Sequence, residues 1–178
     1  MKLYLARHGR TNYNELGLCN SDPSVDVHLT PQGVEQAKIL AKKLQQVPLQ
    51  CIYISELNRT AQTAALVNVY HNVPIVVDAR LNDGRTGLED KHYKDYEAAL
   101  DATPDRWTAR IGDGESITDI AQRAADFIAD LCKQPYDTML LVTSLWIIQA
   151  IVVTVRGLPI EQLDEIEAPQ GEYLELSI

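Results

Sequence analysis

The chain has 178 residues and a formal net charge of −9, with 46% hydrophobic and 23% charged residues. This length and composition predict a single globular domain over residues 1–178 and argue against disordered or fibrous classes. The acidic excess repels nucleic acid and anionic membrane surfaces, so we expect neither as a partner. A small anionic substrate stays compatible, because the local field of a pocket can oppose the global charge.

The cysteines and the apolar stretches favour a protein of a reducing compartment that does not span a membrane. Cys19, Cys51 and Cys132 form no CxxC pair, which is typical of a reducing environment and argues against a disulfide framework or a cysteine-rich metal site. The apolar run at the N-terminus is too short for a signal peptide. Residues 138–155 carry no charge, but several polar residues interrupt them, so we interpret them as a buried strand and helix rather than a membrane span. We expect a soluble, cytoplasmic protein.

In the first half of the chain, apolar runs alternate with helical periodicity. Residues 2–6 predict a buried strand, and Thr30-Pro31 begins a helix, with threonine as N-cap and proline at its first position. Pro48 closes that helix. A second strand follows over 51–54, then a helix from about Asn58 to Tyr70 and a short strand over 75–77.

The second half continues the alternation. Ser116 and Asp119 resemble a capping box that opens a helix ending near Leu131. A strand over 139–142, a helix over 146–155 and a final strand over 173–178 complete the pattern. Strands that alternate with helices predict an α/β fold with a mostly parallel sheet covered on both faces. The segment from Asp83 to Gly114 shows no clear period, and its length is typical of an active-site cover.

Chemistry-bearing residues follow the first strand. In an open parallel sheet, ligands bind beyond the carboxyl ends of the strands, where this chain reads Arg7-His8-Gly9. Arginine offers a planar fork of donors for phosphate oxygens, and histidine can carry a phosphoryl group covalently. Glycine lets the backbone approach a ligand closely. An ordinary surface Arg-His pair is the alternative interpretation.

The second strand ends in a similar way. Arg59 stands in the first turn of the following helix, near the same sheet edge, where a helix N-terminus also favours an anion. A solvated helix arginine is the alternative. Two arginines that converge on His8 from two strand ends predict an anion site.

Four segments resemble the histidine phosphatase superfamily, also called phosphoglycerate-mutase-like. They occur in the family's order and extend over residues 1 to about 156. The segments are Arg7-His8-Gly9-x-Thr11-x-x-Asn14, Leu29-Thr30-x-x-Gly33-x-x-Gln36-Ala37, Ser55-x-Leu57-x-Arg59-Thr60-x-Gln62-Thr63-Ala64, and Gly114-Glu115-Ser116 followed by Arg123.

This resemblance implies a three-layer α/β/α sandwich and a phosphohistidine mechanism. His8 would attack phosphorus, while Arg7, Arg59 and Asn14 hold the phosphoryl oxygens, because charge develops there in the transition state. A carboxylic acid would protonate the leaving oxygen and then, as a carboxylate, activate water. The resemblance implies no metal and no cofactor.

The general acid departs from the family pattern. The family has a glutamate after a Leu-x step, whereas Leu81-Asn82-Asp83 places an aspartate there. The carboxyl of Asp83 sits about one bond length further back, and a displacement of about 1 Å can cost ~10²-fold in rate. Glu89 and Glu115 are alternative acids, although we interpret Glu89 as a loop carboxylate and Glu115 as a residue near a helix N-terminus.

The end of the fourth strand departs further. Ser144 stands where the family has a second histidine, with Leu145 and Trp146 in place of small residues. Losing one transition-state donor typically costs about 3 kcal/mol. Leu145 and Trp146 either pack in the core or narrow the pocket.

Two further residues are auxiliary candidates. Arg10 stands where the family usually has glutamate or glutamine and would restore positive charge near Ser144; an exposed loop arginine is the alternative. His92 lies in the irregular segment and would reach the pocket from above.

The sequence therefore predicts a phosphatase that acts through a phosphohistidine on a small phosphorylated metabolite, with weakened activity. One alternative is a catalytically impaired relative that binds phosphate or a partner. The other is a phosphoglycerate-type mutase.

Overall fold

The computed structural model describes residues 1–178 and is built on one five-stranded sheet in the order β3-β2-β4-β1-β5. Four strands are mutually parallel, and β5 runs antiparallel to β1 at one edge. The predicted mostly parallel sheet is thereby confirmed. The strands are β1 (Lys2–Arg7), β2 (Cys51–Ile54), β3 (Ile75–Val77), β4 (Thr138–Thr143) and β5 (Tyr173–Ser177).

Six α-helices and two short 3-10 helices connect the strands. The α-helices are α1 (Asn12–Leu16), α2 (Pro31–Leu44), α3 (Asn58–Asn68), α4 (Tyr93–Asp101), α5 (Ile117–Leu131) and α6 (Leu145–Arg156); the 3-10 helices are Ala79–Leu81 and Ile160–Glu165. The side chain of Thr30 accepts a hydrogen bond from the backbone N–H of Gly33 and so caps α2. Ser116 and Asp119 form the predicted capping box of α5.

The core lies on both faces of the sheet. Leu3 and Leu5 of β1 pack with the buried faces of α5 and α6, whereas Tyr4 and Ala6 point to the opposite face and pack against α2 and α3. This alternation follows from the two-residue period of a strand. The result is the expected three-layer α/β/α sandwich. None of its helices combines the length and the apolar character needed to cross a bilayer.

The segment from Asp83 to Gly114 is more regular than predicted. It contains α4, in which only Tyr96 and Leu100 are buried, so its apolar period is too sparse to recognise in the sequence. The five residues of α1 were also missed, because this helix buries no side chain at all. Helix α2 ends at Leu44, before the proline that was expected to close it.

The sheet places several strand ends side by side. Arg7 at the end of β1 is in register with Thr143 at the end of β4, and Ile54 at the end of β2 is in register with Val142. The residues that follow these strands therefore share one edge of the sheet. At the lateral edge, the short strand β3 leaves Ile75 and Val77 exposed.

Candidate active site

A cavity of about 520 Å³ opens at the carboxyl ends of β1, β2 and β4. The six principal residues predicted from the sequence all line it, although they come from five separate places in the chain. These residues are Arg7, His8, Asn14, Arg59, Asp83 and Ser144. The structure thus brings the imidazole and both guanidinium groups into one cavity.

His8 is buried, with 3% of its surface exposed. Its Nδ1 lies 2.8 Å from the carbonyl oxygen of Gly9, and since a carbonyl only accepts, Nδ1 carries the proton and donates. Burial lowers the pKa of His8 well below 6.5; the charges of Arg59 and Arg7 act in the same direction, against the Gly9 hydrogen bond. At neutral pH the imidazole is therefore uncharged, with a lone pair on Nε2.

The loop that carries His8 is held by polar side chains of α2 and α3. The backbone N–H of Gly9 donates to Oγ1 of Thr63 at 3.1 Å, and that of Arg10 donates to Oε1 of Gln36 at 2.8 Å. Both acceptors belong to the sequence segments that resemble the superfamily. They act by positioning the nucleophile loop.

Gly9 and Gly33 bring this loop and the start of α2 into direct backbone contact. A Cβ on Gly9 would collide with the carbonyl oxygen of Gly33, and a Cβ on Gly33 would collide with the carbonyl oxygen of Arg10. Only residues without a side chain allow this approach. The position of His8 is therefore coupled to the first turn of α2.

Arg59 is fixed in its orientation by three hydrogen bonds. Its Nη1 donates to Oδ1 of Asn20 at 3.1 Å, and its Nη2 donates to the backbone oxygen of Asn20 at 2.9 Å and to Oδ2 of Asp83 at 3.2 Å. The side chain of Arg59 is almost fully buried. Asn20 could not be predicted, because an asparagine in a loop gives no periodic or motif signal.

Arg7 provides the second guanidinium group. Burial lowers its pKa, with Arg59 adding to the effect and Asp83 opposing it, but an arginine stays protonated in proteins. Its buried Nε has no hydrogen-bond partner in the protein. A ligand with acceptor oxygens fits such a group, because buried donors are normally paired.

Of the three candidate acids, only Asp83 lines the cavity. The carboxylate of Glu89 accepts hydrogen bonds from Ser21 and Thr86 and fixes the surrounding loops. Glu115 pairs with Arg123 at 2.9 Å. Both glutamates therefore make structural contacts, as predicted for a loop carboxylate and for a residue near a helix N-terminus.

Ser144 is the N-cap residue of α6, yet its side chain makes no capping hydrogen bond. The hydroxyl is buried at the cavity wall and has no protein partner. The first turn of α6 adds partial positive charge at the same place. Leu145 and Trp146 also line the cavity and pack against the core. They therefore fill the core, as one interpretation predicted, and they also form part of the pocket wall, as the other predicted.

Asn14 and Arg10 both line the cavity. Oδ1 of Asn14 accepts hydrogen bonds from the backbone of Thr11 and from Gln170, which leaves the amide NH₂ group for a ligand. Nε of Arg10 lies 3.8 Å from a carboxylate oxygen of Glu15, and its side chain is 38% exposed.

His92 does not line the cavity, which corrects the expectation that it reaches the pocket. It is the N-cap of α4, where its Nδ1 accepts a hydrogen bond from the backbone of Lys94. Its ring stacks on Tyr93 and lies against Gly17. His92 belongs to a segment that was expected to be irregular. Helix α4, which His92 caps, instead fixes the position of His92.

A sequence profile of the histidine phosphatase superfamily (branch 1) matches residues 3–178. The chain belongs to this superfamily. As a member, it is an enzyme of the histidine phosphatase type, whose phosphatase relatives act through a phosphohistidine.

Individual relatives agree with this assignment. The adenosylcobalamin/alpha-ribazole phosphatase of Escherichia coli (strain K12) is 29% identical over 188 residues, which cover 100% of this chain and 90% of the relative. The crystal structure of the alpha-ribazole phosphatase from Shigella flexneri has a TM-score of 0.89 at 30% identity and covers 100% of this chain and 91% of that one. A probable phosphoglycerate mutase of Enterobacter sp. (strain 638) is 30% identical over 169 residues, or 89% of this chain and 76% of the relative.

Several cavity residues of this histidine phosphatase were missed in the sequence. Glu97 and Gln170 line the cavity, and neither belongs to a motif; Gln170 lies outside the cover segment, shortly before β5. Tyr96, an aromatic residue of the cover segment, also lines the cavity. Cys19 also lines it, but burial raises the pKa of its thiol to about 11, so it is protonated at neutral pH. No group of His, Cys, Asp and Glu side chains is arranged to hold a metal ion.

Proposed function

We propose that this histidine phosphatase hydrolyses the phosphomonoester of a small metabolite through a phosphohistidine on His8. The observation that carries the proposal is the uncharged, buried imidazole of His8 in one cavity with the guanidinium groups of Arg7 and Arg59. An unprotonated nitrogen is nucleophilic, and two fixed cations stabilise the charge on the phosphoryl oxygens as it develops.

In the first step, the Nε2 lone pair of His8 attacks phosphorus and the bond from phosphorus to the leaving oxygen breaks. Arg7, Arg59 and the amide of Asn14 bind the non-bridging oxygens. Asp83 transfers its proton to the leaving oxygen, and the product alcohol departs. Because Nδ1 is hydrogen-bonded to Gly9, the ring keeps its orientation throughout.

In the second step, a water molecule attacks the phosphorus of the phosphohistidine. Asp83, now a carboxylate, takes a proton from this water, and the bond between Nε2 and phosphorus breaks. Inorganic phosphate leaves, and the acid is regenerated for the next cycle. Neither of the two reaction steps needs a metal ion.

The ion pair between Arg59 and Asp83 supports a link between binding and proton transfer. Nη2 of Arg59 lies 3.2 Å from Oδ2 of Asp83. A phosphoryl group bound by Arg59 is therefore held beside the carboxyl group that is proposed to reach its leaving oxygen.

We also propose that the activity is weaker than in relatives with a second histidine. The hydroxyl of Ser144 supplies one neutral donor to the phosphoryl group, where an imidazolium would supply a charged one. Charge-assisted hydrogen bonds are roughly twice as strong as neutral ones.

The test compares phosphate release by the wild-type protein, His8→Ala and His28→Ala on a panel of phosphomonoesters. His28 is a half-exposed histidine away from the cavity and serves as the control. We expect release from at least one ester by the wild type and His28→Ala and none by His8→Ala. Release that persists in His8→Ala would overturn the nucleophile, and no release by the wild type on any ester would overturn the phosphatase.

A further inference from the structure

The cavity extends beyond the phosphate site along a wall made by Gly84, Trp146, Tyr96 and Glu97. Gly84 packs beneath the indole so closely that a Cβ would lie 2.7 Å from Cε3 of Trp146. The rings of Trp146 and Tyr96 are 5.2 Å apart between centroids. Since Gly84 directly follows Asp83, this wall is continuous from the acid to Tyr96. We call these four residues the leaving-group wall.

The direction of the reaction assigns this wall to the leaving group, a step that rests on the proposed function. In an in-line displacement, the leaving oxygen lies opposite Nε2 of His8 across the phosphorus atom. The same oxygen must lie within reach of the proton of Asp83. The alcohol attached to it therefore extends over Gly84 towards Trp146 and Tyr96.

Tyr96 lines the cavity and carries a buried hydroxyl. The residue is 1% exposed and packs in an apolar cluster with Leu100 and Val153, and its hydroxyl has no hydrogen-bond partner in the protein. Burial raises the pKa of Tyr96 to about 12, so the group keeps its proton and can donate. A buried tyrosine hydroxyl normally has a partner, and at a cavity wall a ligand can provide it.

Glu97 makes the same wall acidic. Its carboxylate accepts a hydrogen bond from Nη2 of Arg106 at 3.1 Å. Arg106 is shared with Asp101 at 3.6 Å and Asp164 at 3.7 Å, so three carboxylates surround one guanidinium group. The far wall is thus negative, whereas Arg7 and Arg59 make the floor of the cavity positive.

We propose that the leaving-group wall binds a neutral, hydroxyl-bearing alcohol, of the polyol or sugar type, and disfavours leaving groups that carry a carboxylate or a second phosphate. The hydroxyl of Tyr96 donates to an oxygen of this alcohol, and the carboxylate of Glu97 accepts from one of its hydroxyl groups. The indole of Trp146 covers the carbon skeleton. A second anion would meet Glu97, and Arg106, the cation paired with this glutamate, is already shared among three carboxylates.

The charge part of the proposal is tested with glycerol 3-phosphate and 3-phosphoglycerate, which differ by a CH₂OH group in place of a carboxylate. We expect the wild type to favour glycerol 3-phosphate by about tenfold or more in kcat/KM. Glu97→Gln reduces this preference by raising kcat/KM for 3-phosphoglycerate. Asp101→Asn is the matched control, since it removes a carboxylate from the same arginine but outside the cavity, and it keeps the preference.

The hydroxyl part is tested with Tyr96→Phe, using phenyl phosphate as a substrate without hydroxyl groups on its leaving group. We expect kcat/KM to fall about three- to tenfold for glycerol 3-phosphate and by a smaller factor for phenyl phosphate. Tyr53→Phe removes a phenolic hydroxyl from the core outside the cavity and should leave kcat/KM unchanged for both substrates.

Three results would overturn the proposal: a wild-type preference for 3-phosphoglycerate, an equal effect of Glu97→Gln and Asp101→Asn, or an equal loss on both substrates in Tyr96→Phe. If the proposed function itself fails and no ester is hydrolysed, calorimetric dissociation constants for glycerol 3-phosphate and 3-phosphoglycerate provide the same comparison. The expected order of affinities then supports the wall, and the reverse order or equal affinities overturn it.

Discussion

Nη2 of Arg59 lies 3.2 Å from Oδ2 of Asp83, so the guanidinium group proposed to bind phosphate and the proposed acid form an ion pair inside the cavity. Asn20 holds the same guanidinium group from the other side through two hydrogen bonds. Arg59 is therefore positioned before any substrate arrives, which limits the reorganisation needed to reach the transition state. The pair also keeps the carboxyl group of Asp83 beside the guanidinium group of Arg59.

Replacing the acid should create a dependence on the leaving group. Asp83→Asn cannot donate a proton, so we expect kcat/KM, which reports the first step, to fall about 10²- to 10⁴-fold on an alkyl ester such as glycerol 3-phosphate. The loss on 4-nitrophenyl phosphate should be much smaller, because its leaving group departs without protonation. Steady-state phosphate release on the two substrates measures the difference.

Glu89→Gln and Glu115→Gln test the alternative acids in the same assay. Each glutamate holds loops near the cavity, so its loss should lower both rates by a similar factor. A leaving-group dependence in either variant, with none in Asp83→Asn, would assign the acid to that glutamate instead.

The buried imidazole of His8 predicts how stability depends on pH. Its pKa is lowered in the folded protein. Below about pH 6.5, His8 therefore binds a proton in the unfolded chain but stays unprotonated in the folded chain. The free energy of unfolding should therefore be highest above this pH and fall as the pH is lowered through it. His8→Asn lacks the titrating group and should lose less stability between about pH 7.5 and 5.5.

Urea unfolding of both proteins at the two pH values provides the measurement. Burial also lowers the pKa of His71, but this histidine is present in both proteins and cancels in the comparison. Equal losses of stability in wild type and His8→Asn would contradict the buried, uncharged state of His8.

The hydroxyl of Ser144 should contribute to the rate as a phosphoryl donor. Ser144→Ala removes it without adding bulk, and we expect kcat/KM to fall on the order of tenfold. Ser144→His together with Leu145→Gly should raise the rate, because it adds a charged donor and relieves crowding at the start of α6. An unchanged rate in both variants would mean that this strand end does not face the phosphoryl group.

The contact between Gly33 and the nucleophile loop should make a methyl group costly. Gly33→Ala forces the first turn of α2 away from Arg10, and we expect about 1–3 kcal/mol of lost stability and on the order of 10²-fold lower kcat. Gly157→Ala is the matched control at the far end of α6. Its positive φ of 63° strains an alanine by about 1–2 kcal/mol, with open space around it and no contact to the cavity.

Thermal unfolding and kcat separate the two effects. Comparable losses of stability with a loss of kcat confined to Gly33→Ala would support the coupling between α2 and His8. A parallel loss of kcat in both variants would assign it to general destabilisation.

The sheet and three of the cavity residues, Arg7, His8 and Arg59, could be predicted from short-range rules. Asn14, Asp83 and Ser144 were predicted only through the resemblance to the superfamily. The buried strands are continuous apolar runs, and ligands of parallel sheets bind beyond strand ends, which located His8 and Arg59. Their convergence depends on β4 lying between β1 and β2, with Arg7 in register with Thr143 and Ile54 in register with Val142.

The missed features depend on contacts between distant segments. Asn20 is distinguished only by its bonds to Arg59, thirty-nine positions later in the chain. Helix α4 buries two side chains against residues from α6 and from the 3-10 helix over 160–165, so its stability comes from tertiary packing rather than from its own periodicity. His92 was misplaced for the same reason, since the helix it caps was not recognised.

The exposed edge strand β3 has a consequence for how the protein tolerates high concentration. Ile75 and Val77 offer an apolar row beside unpaired backbone groups, a combination that favours sheet extension between molecules. A three-residue strand can form too few intermolecular bonds to hold a neighbour by itself. We therefore expect that lengthening β3, rather than making it more apolar, would promote aggregation through this edge of the sheet.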